Sequence, residues 1–330
     1  MPKAVSDRLT RVHAQPISAN KRIGSAHPSN GKNGDSSTAK NPIFNTERFG
    51  QHILKNPLVA QSIVDKANLK ATDIVLEVGP GTGNLTMRIL EQCKRLQVIE
   101  MDPRMAAELR KRVQGKNEQR KLDITIGDFC KAKLDYFDVV ISNTPYQISS
   151  PLVFKLLSHR PQFRCAILMF QREFALRLLA RPGSELWCRL SANVQLYAKV
   201  DLQMHVSKGS FRPPPKVDSS VVRIVPIQPP PSIPFEEYDG LTRILFSRRH
   251  KTVRSSFDAK GVKTMLEANH KTFCSQHELP VKAKTTANFN ELLDTILLSS
   301  SYSDKRAAQM DVDDILQLLH AFHKENIHFG

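Results

Sequence analysis

The chain has 330 residues and is strongly basic, with 48 Lys and Arg against 32 Asp and Glu and a formal net charge of +16. Such a charge favours a polyanionic partner and disfavours a small neutral substrate. The length allows about two domains, and the hydrophobic content of 40% is enough for a sizeable core. The sequence contains neither a long apolar run nor a signal-peptide core, so we expect no membrane anchor.

The five cysteines are scattered and form no Cys-x-x-Cys pair. This usage predicts a reducing compartment, buried thiols and no disulfide framework. The eleven histidines show no metal-ligand spacing, and we identify no Ser/His/Asp or Cys/His catalytic set. The sequence therefore predicts a protein without a metal site.

The N-terminal segment differs in composition from the rest of the chain. Residues 1–40 contain no aromatic residue and only two acids, Asp7 and Asp35. We predict that residues 1–43 form a disordered basic extension. A mitochondrial transit peptide is the alternative, although Pro2 and Pro16 disfavour the amphipathic helix that such a peptide needs. A basic tail that contacts RNA or a nuclear import receptor is a third possibility.

Three predicted strands each end in residues suited to binding a nucleoside. Residues 73–78 form an apolar strand, and Gly79-Pro80-Gly81-Thr82-Gly83 follows before a helix predicted over 84–93. This spacing matches neither the dinucleotide fingerprint nor a P-loop, so phosphate binding is not the leading interpretation. The strand predicted over 96–100 ends in Glu100, at the distance where a carboxylate accepts from ribose hydroxyls.

The third of these strands, predicted over 124–128, ends in Asp128, which can accept from an adenine amino group. A cofactor with a ribose and an adenine but no phosphate is implied. S-adenosylmethionine fits that description. The carboxyl ends of parallel strands meet at one edge of a sheet, and this convergence favours a ligand over ordinary strand-end carboxylates.

Asn143-Thr144-Pro145-Tyr146 follows another apolar strand, predicted over 137–142. The Asn143 amide oxygen can accept from an exocyclic amine, and Tyr146 offers a ring for stacking. Pro145 biases Thr144 away from helical geometry, so a backbone carbonyl can project beside that acceptor. The tetrad therefore favours a site for a flat amino-bearing ring, with a capped strand-ending turn as the alternative.

Together these motifs closely resemble the rRNA adenine N6,N6-dimethyltransferase family, and most of all its eukaryotic small-subunit branch. The resemblance runs from about Phe44 to the C-terminal region. Further matching stretches are Arg48-Phe-Gly-Gln-His-Ile-Leu54, Phe170-Gln-Arg-Glu-Phe174 and Phe211-Arg-Pro-Pro-Pro-Lys-Val-Asp-Ser219. The fold that this resemblance implies is α/β, a Rossmann-like class I methyltransferase sheet with a smaller, mainly helical C-terminal domain.

The resemblance also assigns roles residue by residue. The implied S-adenosyl-L-methionine contacts are Gln51, His52, Leu54, Glu77, Gly79, Gly81, Gly83, Glu100, Asp128 and Asn143. The implied contacts to the target adenine are Asn143, Thr144, Pro145, Tyr146 and Phe211, the last as an aromatic wall opposite the tyrosine. Two positions depart from common family residues: many bacterial members have Asn in place of His52, and many members have Leu in place of Thr144.

A basic cluster near residue 250 predicts contact with the RNA backbone. Its members, within a stretch that contains no acid, are Arg243, Arg248, Arg249, Lys251 and Arg254. A surface helix with snorkelling arginines is the alternative. Because an adenine must leave its stack to enter a pocket, base flipping or a single-stranded RNA segment is implied.

The remaining pattern divides the chain into two predicted domains, a methyltransferase domain over 44–228 and an rRNA-contacting helical domain over 229–330. Strands and helices alternate up to about residue 201, and five prolines between 226 and 234 mark the boundary. The other predicted strands cover 165–170 and 217–225, and we expect the second of them to close the sheet as part of an antiparallel pair. The predicted helices cover 149–158, 172–181, 235–247, 262–269, 286–298 and 311–323.

The leading hypothesis is an enzyme that dimethylates two adjacent adenines near the 3′ end of 18S rRNA. The expected partners are small-subunit rRNA and the pre-40S particle with its assembly factors. We expect a monomer that is located in the nucleus and nucleolus, and also in the cytoplasm on late pre-40S particles. The alternatives are a small-subunit assembly factor whose catalysis is secondary, and a mitochondrial rRNA dimethyltransferase. An adenine DNA methyltransferase shares the Asn-x-Pro-Tyr logic but not the flanking motifs.

Overall fold

The computed structural model describes residues 52–280 and 285–330. The predicted extension over residues 1–43 and the predicted cofactor contact Gln51 lie outside the described residues. Among the described residues, no helix combines the length and the hydrophobicity needed to cross a bilayer.

Within residues 52–280 and 285–330, nine strands form two sheets. A short antiparallel sheet pairs β1 with β8, and a seven-stranded sheet has the order β4-β3-β2-β5-β6-β9-β7. The strands are β1 Ile53–Leu54, β2 Ile74–Val78, β3 Arg95–Glu100, β4 Leu122–Ile126, β5 Val139–Asn143, β6 Cys165–Gln171, β7 Ala198–Val206, β8 Phe211–Arg212 and β9 Ser219–Pro226. Strands β2 to β6 are parallel, and β9 runs antiparallel between β6 and β7. The strand order reverses between β2 and β5, where ligands bind in doubly wound sheets.

Helices cover both faces of the large sheet and continue through the C-terminal region. They are α1 Pro57–Asp65, α2 Asn84–Gln92, α3 Pro103–Val113, α4 Ser149–Ser158, α5 Arg172–Leu178, α6 Arg189–Tyr197, α7 Phe235–Ser247, α8 Val253–Phe257, α9 Val262–Gln276, α10 Thr286–Ser299 and α11 Val312–Lys324. Several begin at a side-chain cap, as at Asn56, whose Oδ1 accepts from the Leu58 N–H at 3.0 Å.

The alternation of side chains along the strands divides the core in two. In β2, Val75 packs with α1, α2 and α3, whereas Leu76 and Val78 belong to the cluster on the other face. That second cluster includes residues of α4, α6 and the C-terminal helices. Since successive strand residues point to opposite faces, the central parallel strands β2, β5 and β6 are buried on both sides, whereas the edge strand β4 is largely exposed. The predicted α/β architecture with a helical C-terminal region is confirmed.

Most predicted elements are present, with shifted ends. The helices at 149–158 and 235–247 match the prediction, while α5 ends at Leu178 and α9 continues to Gln276. Strand β4 ends at Ile126, so Asp128 lies beyond the strand rather than on it. The strand predicted over 217–225 lies inside the sheet, because β7, for which we specified no bounds, takes the edge. The polar residues that alternate along β7 suit an edge strand.

The C-terminal helices share one buried cluster with the sheet. The indole N–H of Trp187 donates to the carbonyl of Met310 at 3.0 Å, and the Arg249 guanidinium donates to the carbonyls of Glu185 and Trp187. These bonds connect the segment before α6 to the C-terminal helices. The domain boundary near residue 228 stays a prediction.

Glu237 in α7 holds the segment at residues 327–330. Its carboxylate accepts from the backbone N–H groups of Phe329 at 3.0 Å and Gly330 at 3.2 Å. His323 and His328 also contact this carboxylate, at 3.0 and 3.3 Å. The two imidazoles stack at 4.6 Å with 22° between their planes. A single metal ion cannot lie in both of two nearly parallel ring planes, so we interpret this cluster as a hydrogen-bonded clamp.

We expect Glu237→Gln to destabilise the protein by about 1–2 kcal/mol near neutral pH, because an amide cannot accept from all four donors. Burial alone would raise the pKa of Glu237, but the hydrogen bonds from His323 and the two backbone N–H groups lower it to about 2. A depressed folded-state pKa gives stability that is present above pH 4.5 and is lost as the pH falls towards about 2. Urea unfolding at several pH values checks this expectation. The exposed neighbour Glu236→Gln is the control, and equal effects of the two substitutions would contradict it.

Candidate active site

An open cavity lies at the carboxyl ends of β2, β3 and β5. Its volume is about 1050 Å³ when the solvent-filled space at its mouth is included. Its wall contains most of the residues that the sequence predicts for the cofactor and the base. These are His52, Leu54, Glu77, Gly79, Gly81, Glu100, Asp128, Asn143, Thr144, Pro145 and Tyr146. The predicted residues Gly83 and Phe211 are not on this wall.

The glycine-rich turn after β2 needs its glycines for two different reasons. Gly79 has φ +66°, and a Cβ there would lie 2.9 Å from Cγ of Pro145. Gly81 has φ +57° with open space where a Cβ would project, which leaves the backbone accessible to a ligand. Gly83 has φ +83°, and a Cβ there would lie 2.5 Å from the Leu109 side chain. Glycine is therefore needed at this position so that the turn can pack closely against α3.

Glu100 lies at the end of β3 and is buried. Its Oε2 accepts from the Gly81 N–H at 3.1 Å and its Oε1 from the Asp102 N–H at 2.9 Å. Burial raises the pKa of Glu100, and these backbone bonds oppose the rise. Each carboxylate oxygen retains a second lone pair, so the oriented carboxylate can accept further hydrogen bonds from ribose hydroxyls.

Glu77 is the most deeply buried carboxyl group on the cavity wall, with 1% of the residue exposed. Thr86 Oγ1 donates to its Oε2 at 2.6 Å. Burial raises the pKa of Glu77 to about 8, the Thr86 bond lowers it, and the nearby Glu100 raises it further. A cation in the cavity would favour the ionised form of this side chain.

Asp128 lies two residues beyond β4 and reaches the cavity from the other side. Its Oδ1 accepts from the Cys130 N–H at 2.9 Å, which forms a turn stabilised by the side chain. That bond occupies one oxygen and orients the carboxylate. The carboxylate therefore has acceptor capacity for an adenine amino group.

Asn143 ends β5 at the strand-order reversal. Its Nδ2 donates to the backbone carbonyl of His52 at 3.1 Å. That bond fixes the amide orientation and leaves Oδ1 as an acceptor on the cavity wall. The His52 ring is itself held, since its Nδ1 lies 3.0 Å from the carbonyl oxygen of Pro213. Two segments far apart in sequence thus orient the amide that we predict to hold the base.

Tyr146 is also fixed by a distant segment. Its phenol oxygen lies 2.6 Å from Oγ of Ser219, at the start of β9, and its ring is 6.0 Å from that of His52 with 27° between the planes. The N–H of Thr144 donates to the carbonyl of Met169 at 3.2 Å, while its buried hydroxyl has no partner among the described residues. The tetrad therefore presents an oriented ring and amide side by side.

Phe211 is placed differently from the prediction. It pairs with Leu54 across the β1–β8 sheet, is 1% exposed and packs in the core cluster with Val206 and Val221. The strand pairing with β1 places Phe211 next to Leu54 of the cavity wall, but the Phe211 side chain packs into the buried cluster behind that wall. Its role as the second aromatic wall stays a prediction, and the ring that lies near Tyr146 is that of His52.

The predicted RNA-binding cations do not form one free basic face. Arg243 pairs with Asp239 at 3.0 Å, Arg254 pairs with Asp294 at 3.5 Å, and Arg249 donates to two carbonyls before α6. Arg248 and Lys251 are exposed and form no ion pair within the described part of the chain. Their contact with RNA stays a prediction.

The sequence analysis missed several residues on the cavity wall. Met101 follows Glu100 and is 57% exposed, and Phe129 follows Asp128 and is buried. An apolar residue directly after each strand-end acid was the available signal, because it can pack against the ring whose polar atoms the acid binds. Gln147 and Ile148 complete the wall after the tetrad.

Comparison with known proteins assigns the family. The family model for ribosomal RNA adenine dimethylase matches residues 44–297. A dimethyladenosine transferase of Schizosaccharomyces pombe is 56% identical over 292 residues, which cover 88% of this chain and 94% of that relative. A dimethyladenosine transferase of Saccharomyces cerevisiae is 56% identical over 290 residues, or 87% of this chain and 91% of that relative. This chain belongs to the ribosomal RNA adenine dimethylase family.

Solved structures agree with this family assignment. The crystal structure of a dimethyladenosine transferase from Plasmodium falciparum has a TM-score of 0.74 and 43% identity, and it covers 84% of this chain and 100% of its own. The 23S rRNA methyltransferase ErmE has a TM-score of 0.55 at 22% identity, which supports the fold alone. The predicted Rossmann-like methyltransferase fold is confirmed. The protein is an rRNA adenine dimethyltransferase that uses S-adenosylmethionine.

The cavity of this dimethylase fits its cofactor. Oriented carboxylates at Glu100 and Asp128 suit ribose hydroxyls and an adenine amino group, and the open backbone at Gly81 allows close approach. Buried Glu77 suits a neighbouring cation such as the ammonium of the methionine portion. We expect these four residues and His52 to hold S-adenosylmethionine.

Proposed function

We propose that this dimethylase methylates two adjacent adenines near the 3′ end of 18S rRNA, within the pre-40S particle. We further propose that it acts as a monomer in the nucleus and nucleolus, and on late particles in the cytoplasm. The similarity to dimethyladenosine transferases of two yeasts supports dimethyladenosine as the product. The observation that carries the adenine assignment is the fixed Asn143 amide, with its free acceptor on the cofactor cavity beside Tyr146.

The tetrad suits the chemistry of an aromatic amine. The N6 lone pair of adenine is delocalised into the ring, so the planar amine is a poor nucleophile. We infer that Oδ1 of Asn143 and the carbonyl of Thr144 accept the amino hydrogens and favour a pyramidal nitrogen, which stabilises the transition state more than the ground state. Stacking on Tyr146 fixes the ring and adds the advantage of proximity.

The cofactor, when bound, supplies an electrophilic methyl group on a sulfonium sulfur. The residues of the cavity then need only orient the amine and exclude water. No strong general base is required, because the nitrogen becomes acidic once it is alkylated and can release its proton to solvent. This agrees with the residues of the tetrad, which include no imidazole or carboxylate.

Exposed cations next to the cavity provide a second reason to expect an RNA substrate. The segment that contributes β8 holds His52 through Pro213 and Tyr146 through Ser219. The same segment carries Lys208, Arg212 and Lys216, all exposed and without an ion-pair partner among the described residues. We propose that they contact the phosphates of the nucleotides that flank the target adenine.

We expect Arg212→Glu/Lys216→Glu to raise the RNA KM at least about tenfold and to lower the slope of log affinity against log salt by about 2. The kcat at saturating RNA should change little, because neither side chain lies on the cavity wall. Filter binding over a salt series and steady-state kinetics check this result. Lys116→Glu/Arg120→Glu is the control of equal charge on the exposed surface after α3. An equal rise of the RNA KM in that control would show that the effect comes from net charge alone, and it would contradict the proposed phosphate contacts.

Mass spectrometry of 18S rRNA from cells with and without the protein tests the substrate directly. We expect the doublet of dimethyladenosine to disappear when the protein is removed and to return with the wild-type gene but not with Asn143→Ala. Unchanged dimethyladenosine in 18S rRNA, with a loss in mitochondrial rRNA instead, would replace our proposal with the mitochondrial alternative. Cell fractionation tests the nuclear and nucleolar location.

A role in assembly is the second candidate function. The exposed cations beside the cavity suit prolonged occupation of an RNA particle as well as catalysis. Glu100→Ala separates the two roles, because it removes a cavity carboxylate without changing that basic surface. If pre-rRNA processing continues while methylation is lost, occupation of the particle is the essential role.

A further inference from the structure

Lys155 in α4 reaches across to the turn that follows β4. Its Nζ donates to the carbonyl oxygens of Phe129 at 2.7 Å and Cys130 at 3.0 Å, and also to that of Ala132. It also lies 5.2 Å from the centroid of the Phe129 ring. An ammonium group has three N–H donors, so these three carbonyls use them all. No carboxylate among the described residues forms an ion pair with Lys155.

The turn that Lys155 holds belongs to the cofactor cavity. Asp128 and Phe129 both line the cavity wall. Within the turn, the N–H groups of Lys131 and Ala132 donate to the Asp128 carbonyl at 3.0 and 2.9 Å. The turn thus satisfies its own N–H groups, while Lys155 binds three of its carbonyls. Without the ammonium, these partly buried carbonyls would have to find water or the turn would rearrange.

The same helix begins at the base-binding tetrad. Ser149 is the first residue of α4, and its Oγ donates to the carbonyl of Tyr146 at 2.9 Å. Helix α4 therefore contacts the tetrad at its N-terminal end and the cofactor turn through Lys155. Since a helix is rigid over this length, the lysine fixes the cofactor side of the cavity relative to the tetrad.

We propose that Lys155 is a positioning residue for S-adenosylmethionine: by binding the carbonyls of Phe129, Cys130 and Ala132, it holds Asp128 and Phe129 in place against the cofactor. Lys155 does not line the cavity, so it acts through the turn and not by contact. The proposal depends on the cofactor assignment and not on which adenines are methylated.

Lys155→Met tests this role, because it keeps an unbranched side chain but removes every donor. We expect the cofactor Kd, measured by calorimetry without RNA, to rise about tenfold. Amide hydrogen exchange at Lys131 and Ala132 should become faster, since their bonds to Asp128 depend on the turn. The kcat at saturating cofactor and the RNA KM should stay within about threefold of wild type, because the tetrad is unchanged.

Lys155→Arg should restore the cofactor Kd to within about threefold of wild type, because a guanidinium can still donate to several carbonyls. Lys133→Met is the matched control, because Lys133 is an exposed lysine that directly follows Ala132. An unchanged cofactor Kd in folded Lys155→Met would overturn the proposal. An equal rise of the cofactor Kd in Lys133→Met would also overturn it. If Lys155→Met does not fold, Lys155→Gln takes its place: its neutral amide has two N–H donors for three carbonyls, so the cofactor Kd should rise by more than about threefold, and an unchanged Kd would overturn the proposal. Because cofactor binding is measured without RNA, failure here leaves the proposed rRNA substrate untouched.

Discussion

Asn143→Ala should lower kcat on the rRNA substrate by about 10² to 10³, because it removes the acceptor that we propose to hold the N6 amine in the transition state. The affinity for RNA should change little, since we propose that most of it comes from phosphate contacts outside the cavity. The cofactor Kd should rise no more than about tenfold, because the other predicted cofactor contacts remain. Single-turnover methylation with saturating cofactor and RNA measures the chemical step itself.

A matched control for this substitution is Asn288→Ala, which removes an exposed amide from α10 without an expected effect on methylation. Thermal unfolding shows whether the loss of the bond from Asn143 to the His52 carbonyl disturbs the fold. A kcat for Asn143→Ala within about twofold of wild type would contradict the mechanism, since that bound corresponds to less than one ordinary hydrogen bond.

Glu77→Gln should make the cofactor-free protein more stable at alkaline pH, by at most about 5 kcal/mol. Burial raises the pKa of Glu77 from 4.5 to about 8. Between these values the folded protein retains a proton that the unfolded chain has released. The favourable contribution is therefore complete below pH 4.5 and is lost as the pH rises through about 8. Glutamine carries no titrating proton, so the variant should lack this dependence.

Urea unfolding from about pH 5 to pH 9, without cofactor, measures the difference between the two proteins. Glu108→Gln, at an exposed position of α3, is the control and should follow the wild type. With cofactor bound, the wild type should be more stable than Glu77→Gln, because the ammonium of the cofactor favours an ionised Glu77 that the glutamine variant cannot provide. Parallel stability curves for wild type and Glu77→Gln would contradict a buried, proton-binding carboxyl group at this position.

Much of the site was predictable because its residues follow strands directly in the sequence. Glu100 and Asn143 end β3 and β5, and the glycine turn and Asp128 come directly after β2 and β4. Parallel strands bring their carboxyl ends to one edge, so local patterns were enough to group these side chains. The strand-order reversal between β2 and β5 then places them at one cavity.

Other parts of the site depended on contacts between distant segments. The cluster of cations from Arg243 to Arg254 looked free in the sequence, but Asp239 and Asp294 pair with two of its members. Asp239 lies four residues before Arg243 on the same helix, a spacing that could have been noticed in the sequence, whereas Asp294 lies forty residues beyond Arg254 and no local pattern predicts that pair. Lys208, Arg212 and Lys216, which have no ion-pair partner among the described residues, flank Phe211, the residue of this segment that the sequence analysis assigned to the base.

By itself the sequence determined the strand-end chemistry, the cofactor class and the family, because those features depend on residue type at positions fixed relative to each strand. Only the tertiary structure decided that His52 orients Asn143, that Phe211 packs beside Leu54, and that Lys155 binds the turn after β4. Each of these contacts joins residues between 23 and 157 positions apart. Such pairings follow from the packing of the whole chain, and hydrogen-bonding capacity read from a single residue cannot specify its partner.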